Sequence, residues 1–160
     1  NGIFWQGGNA ANGRNVPDGQ HALDVMSWGG VLLEKWGKSD AAAVAIERML
    51  RLYHVTDQPT GLSGITTFLP LDGYPLGTVL TPWYEGSFGA IIAIRTRDPI
   101  RANNLMAELV RAQNADGSYP YALRTDPINE IQSFPSLIGA AWNVLAYSGS
   151  RTPYRRVLWT

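Results

Sequence analysis

The stretch that decides the fold is Thr81-Pro82-Trp83-Tyr84-Glu85-Gly86-Ser87-Phe88-Gly89-Ala90-Ile91-Ile92-Ala93-Ile94-Arg95. Thr81-Pro82 predicts a helix start, with Thr81 as N-cap and proline at the first helical position. Between Glu85 and Arg95 there is no charge, and apolar or small residues fall on every side. A helix of that kind is surrounded by protein. Two other segments read the same way. Residues 22–36 carry Leu23, Met26 and Leu33 on one face and Val25, Trp28, Leu32 and Trp36 on another, with Asp24 as the one early charge. Residues 134–147 begin at Phe134-Pro135 and include Leu137, Ile138, Ala140, Ala141, Trp142, Val144 and Leu145 without any charge.

Between these three lie two helices with a single apolar stripe. Residues 39–54 place Ala42, Ala43, Ile46, Met49, Leu50 and Tyr53 at i, i+3/i+4 spacing, opposite Asp40, Glu47, Arg48 and Arg51. A second Asp98-Pro99 start introduces Ile100, Leu105, Met106, Leu109 and Val110, opposite Arg101, Asn104, Glu108 and Arg111. The order is buried, amphipathic, buried, amphipathic, buried. That alternation predicts an all-α fold of αα-hairpins in two layers, each hairpin giving one inner and one outer helix. The hairpin starts near Asp24, Glu85 and Phe134 are about 50–60 residues apart, enough for two helices and a loop. Small residues (Gly29-Gly30, Gly86-Ser87, Gly89, Gly139-Ala140-Ala141) let inner helices approach closely. The competing reading is an ordinary globular helical domain with hydrophobic central helices. Residues 64–69 and 74–80 flank Asp72-Gly73 and predict a small β-hairpin in a loop. The first twenty residues and residues 114–133 read as loops.

Composition narrows the partners. The 160 residues, read as one domain, hold 13 basic and 13 acidic side chains, and only 16% are charged. No cluster of Lys and Arg exists to hold a nucleic acid or an anionic membrane, and Tyr154-Arg155-Arg156 is too small to argue for one. No apolar run approaches the ~18 residues that a membrane helix needs. Without Cys there is no disulfide, thiol nucleophile or Cys-ligated metal. His21 and His54 are far apart and lack a third ligand, so no metal site is predicted. The pairs Gly7-Gly8 and Gly29-Gly30 do not form a phosphate cradle. No cofactor is implied. Asn1 in place of Met points to a processed chain or a segment of a longer one. No signal peptide is visible, and localisation is not written in these residues, with an extracellular or periplasmic setting favoured.

The candidate site comes from sorting the carboxylates. Asp24 and Glu85 fall in the first turns of two buried helices, each beside aromatics: Trp28 for the first, Trp83 and Tyr84 for the second. Glu130 precedes the third buried helix, in a loop with Gln132 and Phe134. If the inner helices run parallel, all three acids gather at one mouth. Aromatic faces stack on sugar rings and carboxylates accept hydroxyl hydrogen bonds. Glycoside hydrolysis needs a pair of carboxyl groups across the scissile bond. Glu85 and Asp24 are therefore the expected catalytic pair, and Trp28, Trp83, Tyr84, Tyr119, Tyr121 and Glu130 the expected substrate-binding set. A structural reading stands beside this one: an acid in a first helical turn is favoured by the helix dipole alone. In the turn Gln113-Asn-Ala-Asp116-Gly117-Ser-Tyr119-Pro120-Tyr121, Asp-Gly supplies the φ > 0 position. Its two tyrosines either line the mouth or pack beneath the loop.

Four runs together resemble a known superfamily: Asp24-Val-Met-Ser-Trp28-Gly29, Thr81 to Gly89, Gln113 to Tyr121, and Phe134-Pro-Ser136 to Trp142. Their order and spacing are similar to those of the (α/α)-toroid proteins, in particular the C-terminal half of the six-hairpin glycosidase-like members. The resemblance covers residues 20–155. It implies carbohydrate hydrolysis or lysis in a central cleft, with Glu85, Asp24 and their aromatic neighbours lining the mouth. A complete ring needs well over about 300 residues at the hairpin length above, so the partner expected besides a poly- or oligosaccharide is the remainder of a toroid or another protein chain. The 113–121 turn also looks like the Gln–Trp repeat of terpene cyclases and prenyltransferases, but their Asp-rich metal-binding motif is missing. The rival function is a non-catalytic helical-repeat scaffold or interaction subunit of a larger assembly, whose inner helices meet another chain.

Overall fold

A computed structural model describes residues 8–11, 14–17, 22–67, 79–128 and 130–148. Five helices dominate: α1 (Leu23–Lys35), α2 (Ser39–Tyr53), α3 (Tyr84–Arg95), α4 (Pro99–Leu109) and α5 (Leu137–Ser148). A 3₁₀ turn, Val110–Ala112, ends α4. Three antiparallel two-stranded sheets connect them: β1 (Gly8–Ala11) with β2 (Arg14–Pro17), β3 (His54–Asp57) with β4 (Leu62–Ile65), and β5 (Tyr119–Pro120) with β6 (Pro135–Ser136). No helix of the described residues is long and apolar enough to cross a membrane.

The core is built around α3. Residues 86–94 of this helix are buried on all sides, as its uncharged sequence requires. It packs against α1, α4 and α5, while α2 packs on α1. Leu23, Met26, Ile46, Met49 and Tyr53 close one side of the core; Ala102, Leu105, Met106 and Leu109 close another. The two amphipathic helices are used identically. Ala42, Ala45, Ile46 and Met49 of α2 are buried, and at one constant offset so are Ala102, Leu105, Met106 and Leu109 of α4. The turns into them keep the same offset: Gly37 N–H donates to Glu34 O as Arg97 N–H does to Ile94 O, and Ala42 N–H to Lys38 O as Ala102 N–H does to Asp98 O. Thus α1–α2 and α3–α4 are two helical hairpins that share the same turn and the same register in the second helix.

Several details differ from the sequence expectations. Within the expected N-terminal loop, Gly8–Ala11 and Arg14–Pro17 pair as the antiparallel strands β1 and β2. Gly64 and Ile65 lie in a strand, but one that pairs with Val55 and His54; the expected partner falls largely in residues 68–78, outside the described residues, as are His21 and residues 154–156. Helix α3 starts at Tyr84, not Thr81. Trp83 is the N-cap residue, in extended conformation, because its N–H is taken by the Ile65 carbonyl at 2.9 Å. The Thr81 hydroxyl instead accepts from the Arg124 N–H at 3.0 Å. By contrast Asp98 caps α4 as expected, accepting from Arg101 N–H at 2.8 Å, with Pro99 at the first position. Helix α5 starts at Leu137 because Pro135 and Ser136 are held in a strand. It is not buried all round: Leu137 is 86% exposed and Val144 63%.

Asp57 shows how the loops are secured. It is buried, accepts from the Thr60 hydroxyl at 2.7 Å, and pairs with the Arg124 guanidinium. The Thr60 hydrogen bond, then Arg124, hold its carboxyl below the usual carboxylate range.

Candidate functional site

The starts of α1, α3 and α5 meet at one end of the array. Leu23 N–H donates to Thr67 O at 2.8 Å, and Trp83 N–H to Ile65 O. One three-residue stretch therefore fixes the first turns of both α1 and α3. On the other side Tyr84 N–H donates to Tyr121 O at 3.0 Å, and Tyr121 N–H to Phe134 O at 2.8 Å. These bonds supply partners for backbone groups that a helix start would otherwise leave unpaired.

Two carboxylates share this end. Asp24 and Glu85 each occupy the second position of their helix. Burial raises the Asp24 carboxyl above the usual carboxylate range. Burial also raises Glu85, the negative charge of Asp24 raises it further, and a hydrogen bond from the Trp142 side chain holds it partly down. The helix dipole at each N-terminus favours the ionised form and so opposes this shift. Tyr121 belongs to the same electrostatic group. Its hydroxyl is raised by burial and then by the charges of Glu85 and Asp24.

Aromatic rings surround the acids. Trp28 and Trp142 meet with ring centroids 5.4 Å apart. Each is the sixth residue of its helix, α1 and α5. Tyr121 stacks on Phe134 at 5.9 Å, with the planes within 12° of parallel. Trp83 meets Tyr121 edge-on at 6.1 Å. The arrangement is a pair of neighbouring, partly desolvated carboxyl groups beside one indole pair and one stacked Tyr–Phe pair. It offers hydrogen-bond acceptors, carboxyl protons held more tightly than on an ordinary carboxylate, and flat apolar faces.

The remaining sequence-derived residues divide. Tyr84 and Tyr119 lie in the core, both fully buried and packed around Phe88, so they do not line an open surface. Their hydroxyls are buried with no hydrogen-bond partner among the described residues. Burial raises both phenols, Tyr84 the more strongly. The 113–119 turn is satisfied internally: Gln113 Nε2 donates to Gly117 O, and Asp116 Oδ1 accepts from both N–H and hydroxyl of Ser118. Gly117 takes φ = 85°, as Asp-Gly predicts. Its role is to aim Tyr119 into the core. Glu130 sits exposed on the turn closed by Asp126 and Ile131, with φ = 57°, and none of the interactions at Asp24 or Glu85 involves it. Trp142 and Phe134 are the members that residue-by-residue reading left off the site. The signal for Trp142 was its equivalence to Trp28 in the helix repeat. Phe134 had none, because only the Tyr121–Phe134 backbone bond brings it in.

Gly86 explains the Trp83-Tyr84-Glu85-Gly86 run. A Cβ there would lie 2.2 Å from two carbons of the Trp83 ring and 2.8 Å from Leu23 Cδ2. The Trp83 indole occupies the space a side chain at position 86 would need, and only glycine leaves room. The Gly86→Ala variant is expected to lose about 1–3 kcal/mol of stability, the usual cost of overpacking. An unchanged urea midpoint would show that Trp83 can leave this position.

No family model, no curated protein and no solved structure matches this chain.

Proposed function

We propose that the end of the array where α1, α3 and α5 begin is a carbohydrate site, and that the chain is part of an (α/α) toroid acting on a poly- or oligosaccharide. The observation that carries this reading is the neighbouring carboxyls Asp24 and Glu85 beside the Trp28–Trp142 and Tyr121–Phe134 rings. Sugar rings have apolar faces for the aromatics and hydroxyl rims for the carboxylates. Glu85, raised by burial and by Asp24, serves as proton donor to the leaving oxygen. Asp24 serves as the second carboxylate, and Trp142 orients Glu85 through its indole N–H. The repeat of the hairpin and the meeting of the three inner-helix starts support the ring reading.

The test is a titration of tryptophan fluorescence with a panel of neutral oligosaccharides. At least one member should quench or shift the emission of the wild-type protein. Trp142→Ala should then weaken binding by about tenfold or more, near 1.4 kcal/mol, while Trp142→Phe, which keeps a ring but loses the N–H, should retain most of the affinity. A panel without any response would end the proposal.

A second reading, the non-catalytic helical-repeat scaffold, is favoured by the exposed apolar face of α5.

A further inference from the structure

The second residues of α1, α3 and α5 are Asp24, Glu85 and Ile138, and the sixth are Trp28, Gly89 and Trp142. Residues four apart share a helix face, one turn from each other. Three interactions tie these faces together. The Asp24 charge acts on Glu85, the Trp142 side chain donates to Glu85, and the Trp28 and Trp142 rings meet at 5.4 Å. Helix α3 packs against both α1 and α5. The combined face therefore has two levels. Carboxyl groups stand near the helix starts; one turn further along come the two indoles, with Gly89 on the helix that both their helices touch.

Neither backbone nor packing requires glycine at position 89. Among the described residues the glycines with positive φ are Gly37, Gly61 and Gly117, so Gly89 has an ordinary helical backbone. It is buried, yet a Cβ there would meet no atom within 4 Å among the described residues. Gly86, three residues earlier, is the contrast: its Cβ would strike the Trp83 ring. Glycine in a helix interior is less favourable than alanine, so Gly89 weakens α3 without relieving a clash. What it provides is bare backbone, which a ligand can approach closely. The space beside it takes at least one carbon atom at van der Waals distance. A charged group there would be stripped of water against apolar rings, whereas an apolar group is favoured by the same burial.

We propose that Gly89 sets the specificity of the site by admitting a methyl group carried on a sugar ring. The methyl, of an acetyl substituent or of a 6-deoxy sugar, seats on the bare α3 backbone beside Trp28 and Trp142. The ring hydroxyls then reach Asp24 and Glu85 one turn, about 5.4 Å, away. This inference rests on the carbohydrate reading and adds to it the kind of sugar.

The full chain is titrated, by tryptophan emission, with three sugars. Cellotriose has no methyl group; N,N′,N″-triacetylchitotriose differs from it only in acetamido for hydroxyl groups; a rhamnose trisaccharide supplies 6-deoxy rings. One of the two methyl-bearing sugars should bind at least about tenfold more tightly than cellotriose, the scale of discrimination that one methyl group supplies in an apolar pocket. A preference for the chitotriose identifies an acetyl group, and one for the rhamnose sugar a 6-deoxy ring. Gly89→Ala, whose own methyl fills the space, should erase that preference while raising the urea midpoint. Cellotriose bound as tightly as both other sugars, or an undiminished preference in Gly89→Ala, would overturn the inference and leave the carbohydrate reading standing. A lowered midpoint in Gly89→Ala would show that packing needs the glycine and would overturn it as well. Silence of all three sugars overturns it too; the carbohydrate reading falls with it only when the wider neutral panel is silent.

Discussion

Phe88→Ala is expected to lose about 3–5 kcal/mol of stability, the range for truncating a fully buried phenylalanine. Phe88 has no exposed surface and sits halfway along the one helix that protein surrounds completely. Its ring meets Tyr119 edge-on at 5.0 Å and lies 6.4 Å from Tyr84. Truncation therefore removes transfer free energy, opens a cavity, and forfeits aromatic contacts worth about 0.5–1.5 kcal/mol per pair. The neighbours cannot collapse into the gap easily. Tyr84 is fixed by its backbone bond to Tyr121, and Tyr119 by pairing with Ser136. Against a total of about 5–15 kcal/mol for a domain, the loss is a large fraction. Urea unfolding should show a lower midpoint with an unchanged slope. Phe134→Ala is the control: this ring stacks on Tyr121 but is half exposed, and its removal should change stability by less than about 1 kcal/mol. Similar losses for the two variants would contradict the division of the aromatics into core and mouth.

That division marks what the sequence could disclose. Helix existence was legible because periodicity is local. The uncharged run after Glu85 required a surrounded helix, and the single stripes of α2 and α4 required one-sided ones. The placement of Asp24 and Glu85 in first helical turns was legible because that too is a local pattern. Three things were not legible, each because it depends on a distant contact. Trp83 took the N-cap position from Thr81 because the Ile65 carbonyl, from an earlier strand, claims its N–H. Tyr119 went to the core because it pairs with Ser136 in an antiparallel ladder, whereas Tyr121, just past that strand, gives its N–H to Phe134 O and stacks on the Phe134 ring. Finally, α5 has the composition of a buried helix yet is half exposed, because composition records the neighbours a helix is suited to, not the ones this chain supplies.

Glu85→Gln is expected to lower turnover of a responsive glycan by about 10²–10⁴-fold, the contribution of a positioned general acid. The amide keeps the size of the side chain and an acceptor for the Trp142 indole, but it has no proton to give. Affinity should therefore change only a few-fold while kcat falls. Stability argues in the same direction. The Glu85 carboxyl is raised in the folded protein, first by burial and then by Asp24. Its favourable contribution is full below its unfolded pKa and is lost as pH rises through the folded value. A glutamine, which never ionises, should then be no less stable at neutral pH, so lost activity will not be lost fold. Asp24→Asn supplies the second half of the experiment. It removes the charge that pushes Glu85 up, so the Glu85 carboxyl, followed by NMR, should titrate at lower pH than in the wild type. Turnover held within about tenfold in Glu85→Gln, a barrier change below about 1.4 kcal/mol, would remove Glu85 as the acid. An unmoved Glu85 titration in Asp24→Asn would show that the two carboxyl groups do not act as one site.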